Sequence, residues 1–272
     1  MSKGLSIKLT NDLFLSGTVS FYQTEVDKHL VTVIGETHLL GYQECSSAPS
    51  FTVANYIFNQ VSKFPDTKVL LEYLPELKEW SPLLGSKNMA DIYKILSENG
   101  LKNRIIGFDL RSLFLRPKDQ EVLYHQSKLL EDLDEKTITG VFVWAIPVAI
   151  IPKLEEDIKK IGSEGQAKYL HSFLDDLNRH AHSVAETIDK SWRNDPKNKK
   201  SIILAIQYLW AKVSDFAIVY EIFKQAEHGS VIVLCGEKHA ENLRSIFSTP
   251  LFHVSTKNPK QCVNLQDSIV KL

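Results

Sequence analysis

Two short apolar runs, each ending in Gly-Glu-x-His, constrain the fold of this 272-residue chain more than any other feature. Residues 31–38 read VTVIGETH, and residues 231–239 read VIVLCGEKH. Runs of this length that are rich in β-branched residues and bounded by glycine are typical of strands buried inside a sheet. Because an acid and a histidine follow both strands, we expect one sheet to bring these two distant parts of the chain together.

Strand-like and helix-like segments alternate after the first motif. Two segments have the apolar runs of strands, TKVLLEYLP at 67–75 and NRIIGFDLR at 103–111. Two others carry apolar residues at helical spacing, residues 50–64 and 89–100, with N-caps expected at Ser50 and Asn88. The order strand–helix–strand–helix–strand predicts an α/β fold with a mostly parallel central sheet and flanking helices.

Long helical patterns replace this rhythm in residues 117–227, which we expect to form a large helical insertion or cap before the last core strand. Residues 1–116 and 228–272 are then the two parts of one composite α/β domain. The most apolar segment, residues 139–152, is predicted to be a buried helix or helix pair, because it is too short to span a membrane and contains a proline.

The composition and net charge of the chain indicate which partners and which compartment to expect. A formal net charge of −1 and a pI of about 6.8 predict no binding to nucleic acid and no attraction to anionic membranes. The N-terminal residues lack the apolar stretch of a secretory signal. The three cysteines form no CxxC pair and no even disulfide set, which is typical of a reducing compartment. We therefore expect a cytoplasmic protein without a membrane span, and the sequence leaves its oligomeric state open.

The ends of the predicted strands carry the residues with the most chemistry. In an open α/β sheet, ligands bind beyond the carboxyl ends of the parallel strands. The residues expected at that edge are two histidines, four carboxylates and one arginine: His38, His239, Glu36, Glu72, Asp109, Glu237 and Arg111. The sequence contains no HExxH, P-loop, GxSxG or strand-linked GxGxxG motif, so zincin proteases, nucleotide hydrolases, serine hydrolases and dinucleotide enzymes are disfavoured.

Paired imidazoles and carboxylates suit either a divalent cation or a base that activates water. We expect His38, His239 and Glu72 to be the ligands if a metal is present, and this donor set suits Zn, Mn, Co or Fe equally well. Glu36 is the other principal site acid. Arg111 can stabilise an oxyanion or hold a substrate carboxylate.

Each acid also has a purely structural alternative. An acid that follows a strand and a glycine often caps the next helix, but the repetition of the pattern after two strands favours a site. Glu72 follows three apolar strand residues, where a carboxylate is costly unless it is paired. Asp109 either belongs to the site or pairs with Arg111 or a helix N-terminus.

These motifs resemble a known superfamily. The paired G-x-x-H motifs, here GETH and GEKH, and the strand-then-acid segment VLLEYLP look like those of the erythromycin esterase, ChaN-like and TIKI/TraB superfamily. The resemblance covers roughly residues 30–112 and 229–245. It implies that His38 and His239 are the paired site histidines and that Glu36 and Glu72 are the site acids. Its members include esterases, metal-dependent peptidases and haem-binding proteins, so the resemblance indicates fold more strongly than reaction.

Three functions remain open from the sequence. The first is a hydrolase that acts on an ester, amide or peptide bond of a small molecule or peptide, with or without a metal. The second is a non-catalytic protein that binds haem or another small ligand at the same edge. The third is an inactive descendant that serves as a protein-interaction module. The sequence favours the hydrolase.

Overall fold

The computed structural model describes residues 14–37, 50–72, 86–108, 134–191, 196–247, 252–255 and 262–264. The chain has a mixed α/β fold whose sheets contain parallel strands, which confirms the predicted fold class at that level. It divides into two compact units. The first comprises residues 1–108 together with 225–272, and the second comprises residues 109–224.

A six-stranded sheet forms the centre of the first unit. Its order is β6 (Ile105–Gly107), β5 (Lys68–Leu71), β7 (Val231–Gly236), β3 (His29–Glu36), β2 (Ser20–Val26) and β8 (Phe252–Ser255). The four strands from β6 to β3 are mutually parallel, whereas β2 is antiparallel to both of its neighbours. The late strand β7 therefore lies between two strands from the first part of the chain, an order that the sequence pattern did not predict.

A small second sheet contains β4 (Ser50–Thr52), β1 (Phe14–Ser16) and β9 (Cys262–Asn264), with β1 in the middle. Its strand β4 corrects one expectation, because residues 50–52 were predicted to open a helix capped by Ser50. They pair instead in parallel with β1, and the side chain of Thr52 caps the following helix by accepting from the Asn55 N–H at 3.2 Å.

The described residues of the first unit include three α-helices: α1 (Val53–Lys63), α2 (Lys87–Glu98) and α6 (Glu237–Ile246). Helix α2 begins two residues earlier than predicted. Ser86 is its N-cap and accepts from the Met89 N–H, so the expected cap Asn88 lies inside the first turn. The core between the sheet and helices α1 and α2 includes Ile34, Ile57, Leu71, Ile92, Leu96 and Leu234.

The described part of the second unit contains three helices, α3 (Glu135–Ile158), α4 (Glu164–Ser191) and α5 (Pro196–Ala226). Helix α3 is wound as a π-helix over Ile138–Trp144 and Ile146–Ile150. In a π-helix the Phe142 carbonyl would accept from residue 147, which is a proline without an N–H. The buried indole of Trp210 donates to that carbonyl at 2.8 Å and so satisfies it.

Two described helices pass a length-and-composition test for a membrane span, Glu135–Ile158 and Lys199–Ala226. The helix Glu135–Ile158 is longer than the apolar segment 139–152, which the sequence predicted to be a buried helix or helix pair. Within the apolar windows of the two helices, 39% and 67% respectively is buried inside the structure. Core helices of soluble proteins pass the same test, so the absence of a membrane span stays a prediction.

Candidate functional site

The two Gly-Glu-x-His strands are direct neighbours. Strands β3 and β7 pair in parallel, with Gly35 opposite Cys235 and Glu36 opposite Gly236. The two motifs are therefore offset by one residue across the sheet. As a result Glu36 is the last residue of its strand and only 2% exposed, whereas Glu237 is already the first residue of α6 and is partly exposed.

Gly35 is required by close packing. A Cβ atom built on it would lie 2.1 Å from Ser20 Oγ, 3.0 Å from Ala240 Cβ and 3.5 Å from Glu237 Cα. A side chain at this position would therefore overlap Ser20 on the neighbouring strand β2 and press on Ala240 of α6. This packing explains why a glycine ends the apolar run of β3.

Glu72 connects the end of β5 to the start of α6. Its backbone N–H donates to the Leu234 carbonyl at 3.2 Å, which places the residue directly beyond the strand. One carboxylate oxygen, Oε2, accepts from the Gly236 N–H at 2.9 Å. Because this N–H belongs to the N-cap of α6, the carboxylate also lies at the positive end of the helix dipole. These two interactions offset the cost of a carboxylate that is 6% exposed.

The other oxygen of Glu72 faces a histidine. His239 is the third residue of α6, and its Nε2 lies 3.7 Å from Glu72 Oε1. The His239 side chain is 12% exposed. The separation is longer than a hydrogen bond but short enough for an ion pair when the imidazole is protonated. When the neutral ring carries its proton on Nε2, the Nδ1 lone pair is left to take a proton or to bind a metal.

Glu36 is held by a residue that sequence reasoning misassigned. The Asn88 side-chain amide donates to Glu36 Oε2 at 2.7 Å and to the Gly17 carbonyl at 2.7 Å. Both amide protons are thereby used, which fixes the orientation of this buried group. Ser86, two residues earlier, was the available signal, because a serine N-cap there places Asn88 within the helix and frees its side chain for another role.

Of the predicted site residues, the structure brings Glu72 and His239 together and puts Glu36 at the end of a strand on the same edge of the sheet. Glu237 is on that edge too, as the first residue of α6. The predicted residues His38, Asp109 and Arg111 lie outside the described residues. Within the described ranges, no group of three or more His, Cys, Asp or Glu side chains is arranged to hold a metal ion. Glu72 and His239 supply two of the three predicted ligands.

Comparison of the chain with protein-family models, with curated proteins and with solved structures finds no significant match. The resemblance to the erythromycin esterase, ChaN-like and TIKI/TraB superfamily therefore rests on the two motifs and the Glu72 segment, and it stays a prediction.

Proposed function

We propose that this protein is a hydrolase that cleaves an ester, amide or peptide bond with water activated at the carboxyl edge of the sheet. The observation that supports this most is the pairing of His239 Nε2 with Glu72 Oε1 at 3.7 Å. A carboxylate held in place by a backbone N–H, as Glu72 is by Gly236, can orient an imidazole and raise its basicity.

The chemistry assigned to the site is a general-base attack. His239 or His38 takes a proton from water, the water oxygen attacks the carbonyl carbon, and the protonated imidazole returns the proton to the leaving group. In the metal-dependent form, His38, His239 and Glu72 would hold a divalent ion, which would lower the pKa of the attacking water. Arg111 stabilises the developing oxyanion in either form. Glu36 is proposed as the second site acid.

The helical residues 117–227 are proposed as an insertion into this α/β core. The substrate is proposed to be a small molecule or peptide. We propose a cytoplasmic location without a membrane span, in keeping with three cysteines that form no CxxC pair and no even disulfide set.

A second candidate function is supported by the bond from the Gly236 N–H to Glu72. If the Glu72 carboxylate serves only to accept this bond, its role is to cap α6 and it takes no part in catalysis. The protein would then be an inactive relative that binds haem, another small ligand or a protein partner. The two candidates differ in what removal of the His239 imidazole should do, because the capping explanation gives that ring no role.

The test is hydrolysis of a panel of p-nitrophenyl esters, anilides and fluorogenic peptides by protein purified without chelator, with and without added Zn²⁺, Mn²⁺, Co²⁺ or Fe²⁺. We expect His239→Ala and Glu72→Gln each to lower the rate by about 100-fold or more. The matched control is Glu241→Gln, an exposed residue on the same helix, which should stay within about threefold of the wild type. Rates that survive both site changes would exclude the proposal.

Metal content separates the two forms of the mechanism. Elemental analysis of the wild type beside His38→Ala and His239→Ala should find a stoichiometric divalent ion that both changes remove if the site is metal-dependent. Hydrolysis by a wild type without bound metal, even after soaking, would establish the metal-free histidine base.

A further inference from the structure

A cavity of about 290 Å³ lies at the amino ends of the parallel strands, the end of the sheet opposite the candidate site. It is lined by the hairpin of β2 and β3, by the end of α1, and by residues just before β5 and at the start of β7. None of the lining residues belongs to the proposed hydrolytic site. Small-molecule sites in proteins usually have volumes of about 300 Å³ or more, so this cavity suits a ligand as small as a single amino acid.

Two buried hydroxyl groups in the lining have protons to donate. Thr67 is 2% exposed, and its hydroxyl forms no hydrogen bond in the described part of the chain. Thr32 is 3% exposed, and its Oγ1 accepts from the side-chain amide of Gln23 at 3.0 Å. The Thr32 O–H has no acceptor among the described residues. Because a buried hydroxyl without an acceptor is unfavourable, these two groups indicate a ligand that brings an acceptor into the cavity.

Two exposed charges of opposite sign also line the cavity. Glu25 and Lys28 lie on the β2–β3 hairpin, and neither side chain forms an ion pair or hydrogen bond within the described ranges. The two charges therefore do not neutralise each other. Each is available to a ligand group of the opposite charge, so a ligand that carries both charges is favoured.

The backbone at Lys28 is in an unfavourable conformation. The two-residue turn between Val26 and His29 has a positive φ at both positions, 49° at Asp27 and 70° at Lys28. Turns of this kind usually have glycine at the second position, because a Cβ there lies too close to the following carbonyl oxygen. A strained residue that is not glycine often has a function for its side chain, and here that side chain lines the cavity.

The rest of the lining is largely apolar. It includes Leu30, Val231, Ile232 and the ring of Phe64, the residue at the C-cap of α1. Phe64 is 40% exposed, so a ligand could cover part of its ring. The cavity thus combines hydroxyl donors and an ammonium group for a carboxylate, a carboxylate for an ammonium group, and an apolar surface for a side chain.

We propose that this cavity binds a free amino acid with an apolar side chain. Lys28 and the hydroxyls of Thr32 and Thr67 hold its carboxylate, and Glu25 holds its ammonium group. The site goes beyond the hydrolytic proposal and does not depend on it.

The first test uses the full-length wild type and three related compounds. L-Leucine carries both charges, leucinamide lacks the carboxylate, and N-acetyl-leucine lacks the ammonium group. Titration calorimetry should detect leucine binding, with each of the two analogues at least about tenfold weaker.

Variants then test the assigned residues. Lys28→Gly removes the cation and relieves the turn, so it should weaken leucine binding by about tenfold or more while the melting temperature stays the same or rises. Glu25→Gln should weaken leucine binding by about tenfold and leave N-acetyl-leucine binding within about twofold. Thr67→Val removes a hydroxyl at nearly constant volume and should weaken leucine binding by about fivefold. The matched control is Thr24→Val, a buried threonine outside the cavity, which should leave binding within about twofold.

Thermal melting of each variant establishes that it is folded before binding is measured. The comparison of the three compounds uses only the wild type, so it remains decisive if a variant fails to fold. No leucine binding at about 20 mM, analogues that bind as tightly as leucine, or leucine binding that both Lys28→Gly and Glu25→Gln retain would each overturn the proposal.

Discussion

The side-chain amide of Asn88 donates to the carboxylate of Glu36 across 2.7 Å, although the two residues are 52 positions apart in the chain. The same amide nitrogen donates to the Gly17 carbonyl at 2.7 Å, and Asn88 is 3% exposed. One buried side chain therefore joins the first turn of α2, the end of β3 and the turn before β2. The orientation of Glu36 at the candidate site depends on this contact.

Replacing Asn88 with alanine should lower the free energy of unfolding by about 2 kcal/mol, because it removes a hydrogen bond to a buried charged group. Asn88→Asp should cost at least as much, since it places a second carboxylate beside Glu36. Urea denaturation at neutral pH measures both effects. The control is Asn99→Ala, which removes an exposed amide that donates to a helix carbonyl and should cost under about 0.5 kcal/mol. An Asn88→Ala variant as stable as this control would show that the hydrogen bond between Asn88 and Glu36 does not stabilise the protein.

Gly35 should tolerate no side chain. We expect Gly35→Ala to destabilise the protein by about 2 kcal/mol or more, because the new methyl group overlaps Ser20 Oγ and presses on Ala240. Adding Ser20→Ala should recover part of the loss. Gly140 is the matched control, since a Cβ there meets nothing within 4 Å and alanine favours a helix. Thermal unfolding of the wild type and these three variants measures the differences, and equal melting temperatures for Gly35→Ala and Gly140→Ala would contradict the close packing around Gly35.

Gly35 and Asn88 also show how much of the site the sequence could predict. The strand that precedes Gly35 is visible from its apolar run, because strand burial is a local property of the residues. The reason for a glycine there depends on the packing of Ser20 in β2 and Ala240 in α6 around it, and Ala240 is distant in the sequence. The role of Asn88 likewise depends on Gly17 and Glu36, which are distant in sequence, so a local capping rule assigned it wrongly.

The order of the strands was not predictable for the same physical reason. The four parallel strands of the six-stranded sheet were each recognised from their own apolar runs, but β7 lies between β5 and β3, and only side-chain packing across the whole sheet selects that order. The strand at Ser50–Thr52 was read as helix because it is three residues long and continues directly into α1. Its strand character comes from pairing with β1 rather than from its composition.

The π-helical segment of α3 gives a prediction for the helical unit. Trp210→Phe should cost about 2–4 kcal/mol, because it leaves the Phe142 carbonyl without its indole donor and opens space in a fully buried position. Trp144→Phe changes the same residue type at an exposed position and should cost under about 0.5 kcal/mol. Urea denaturation followed by far-ultraviolet circular dichroism compares them. Similar losses for both variants would argue against a specific role for the bond to Phe142.

The ion pair between helices α4 and α5 predicts a dependence on pH. Lys212 donates to Asp176 at 2.6 Å, and this bond holds the pKa of the aspartate below its usual value of 3.8. A carboxylate whose pKa is lowered by folding stabilises the protein above its unfolded pKa and loses that contribution as the pH falls below it. Because Asp176 is 47% exposed, the contribution is small.

We therefore expect Asp176→Asn to lower the free energy of unfolding by about 0.5 kcal/mol at pH 7, and the difference from the wild type to vanish near about pH 3. Urea denaturation at the two pH values measures it. Asp175→Asn, at the neighbouring exposed position, should show little difference at either pH. A loss that grew as the pH fell would have the wrong sign for this pair.

The central claim is that His239 and Glu72 act as one catalytic unit at the edge of the sheet, and a double-mutant cycle on the hydrolysis rate tests it most directly. Initial rates would be measured for the wild type, His239→Ala, Glu72→Gln and the double variant, on the best substrate of the panel. Residues that act as a unit are not additive, so we predict that the double variant is no slower than the slower single variant. Rate losses that multiply in the double variant would mean that the two residues act independently, and would contradict the account.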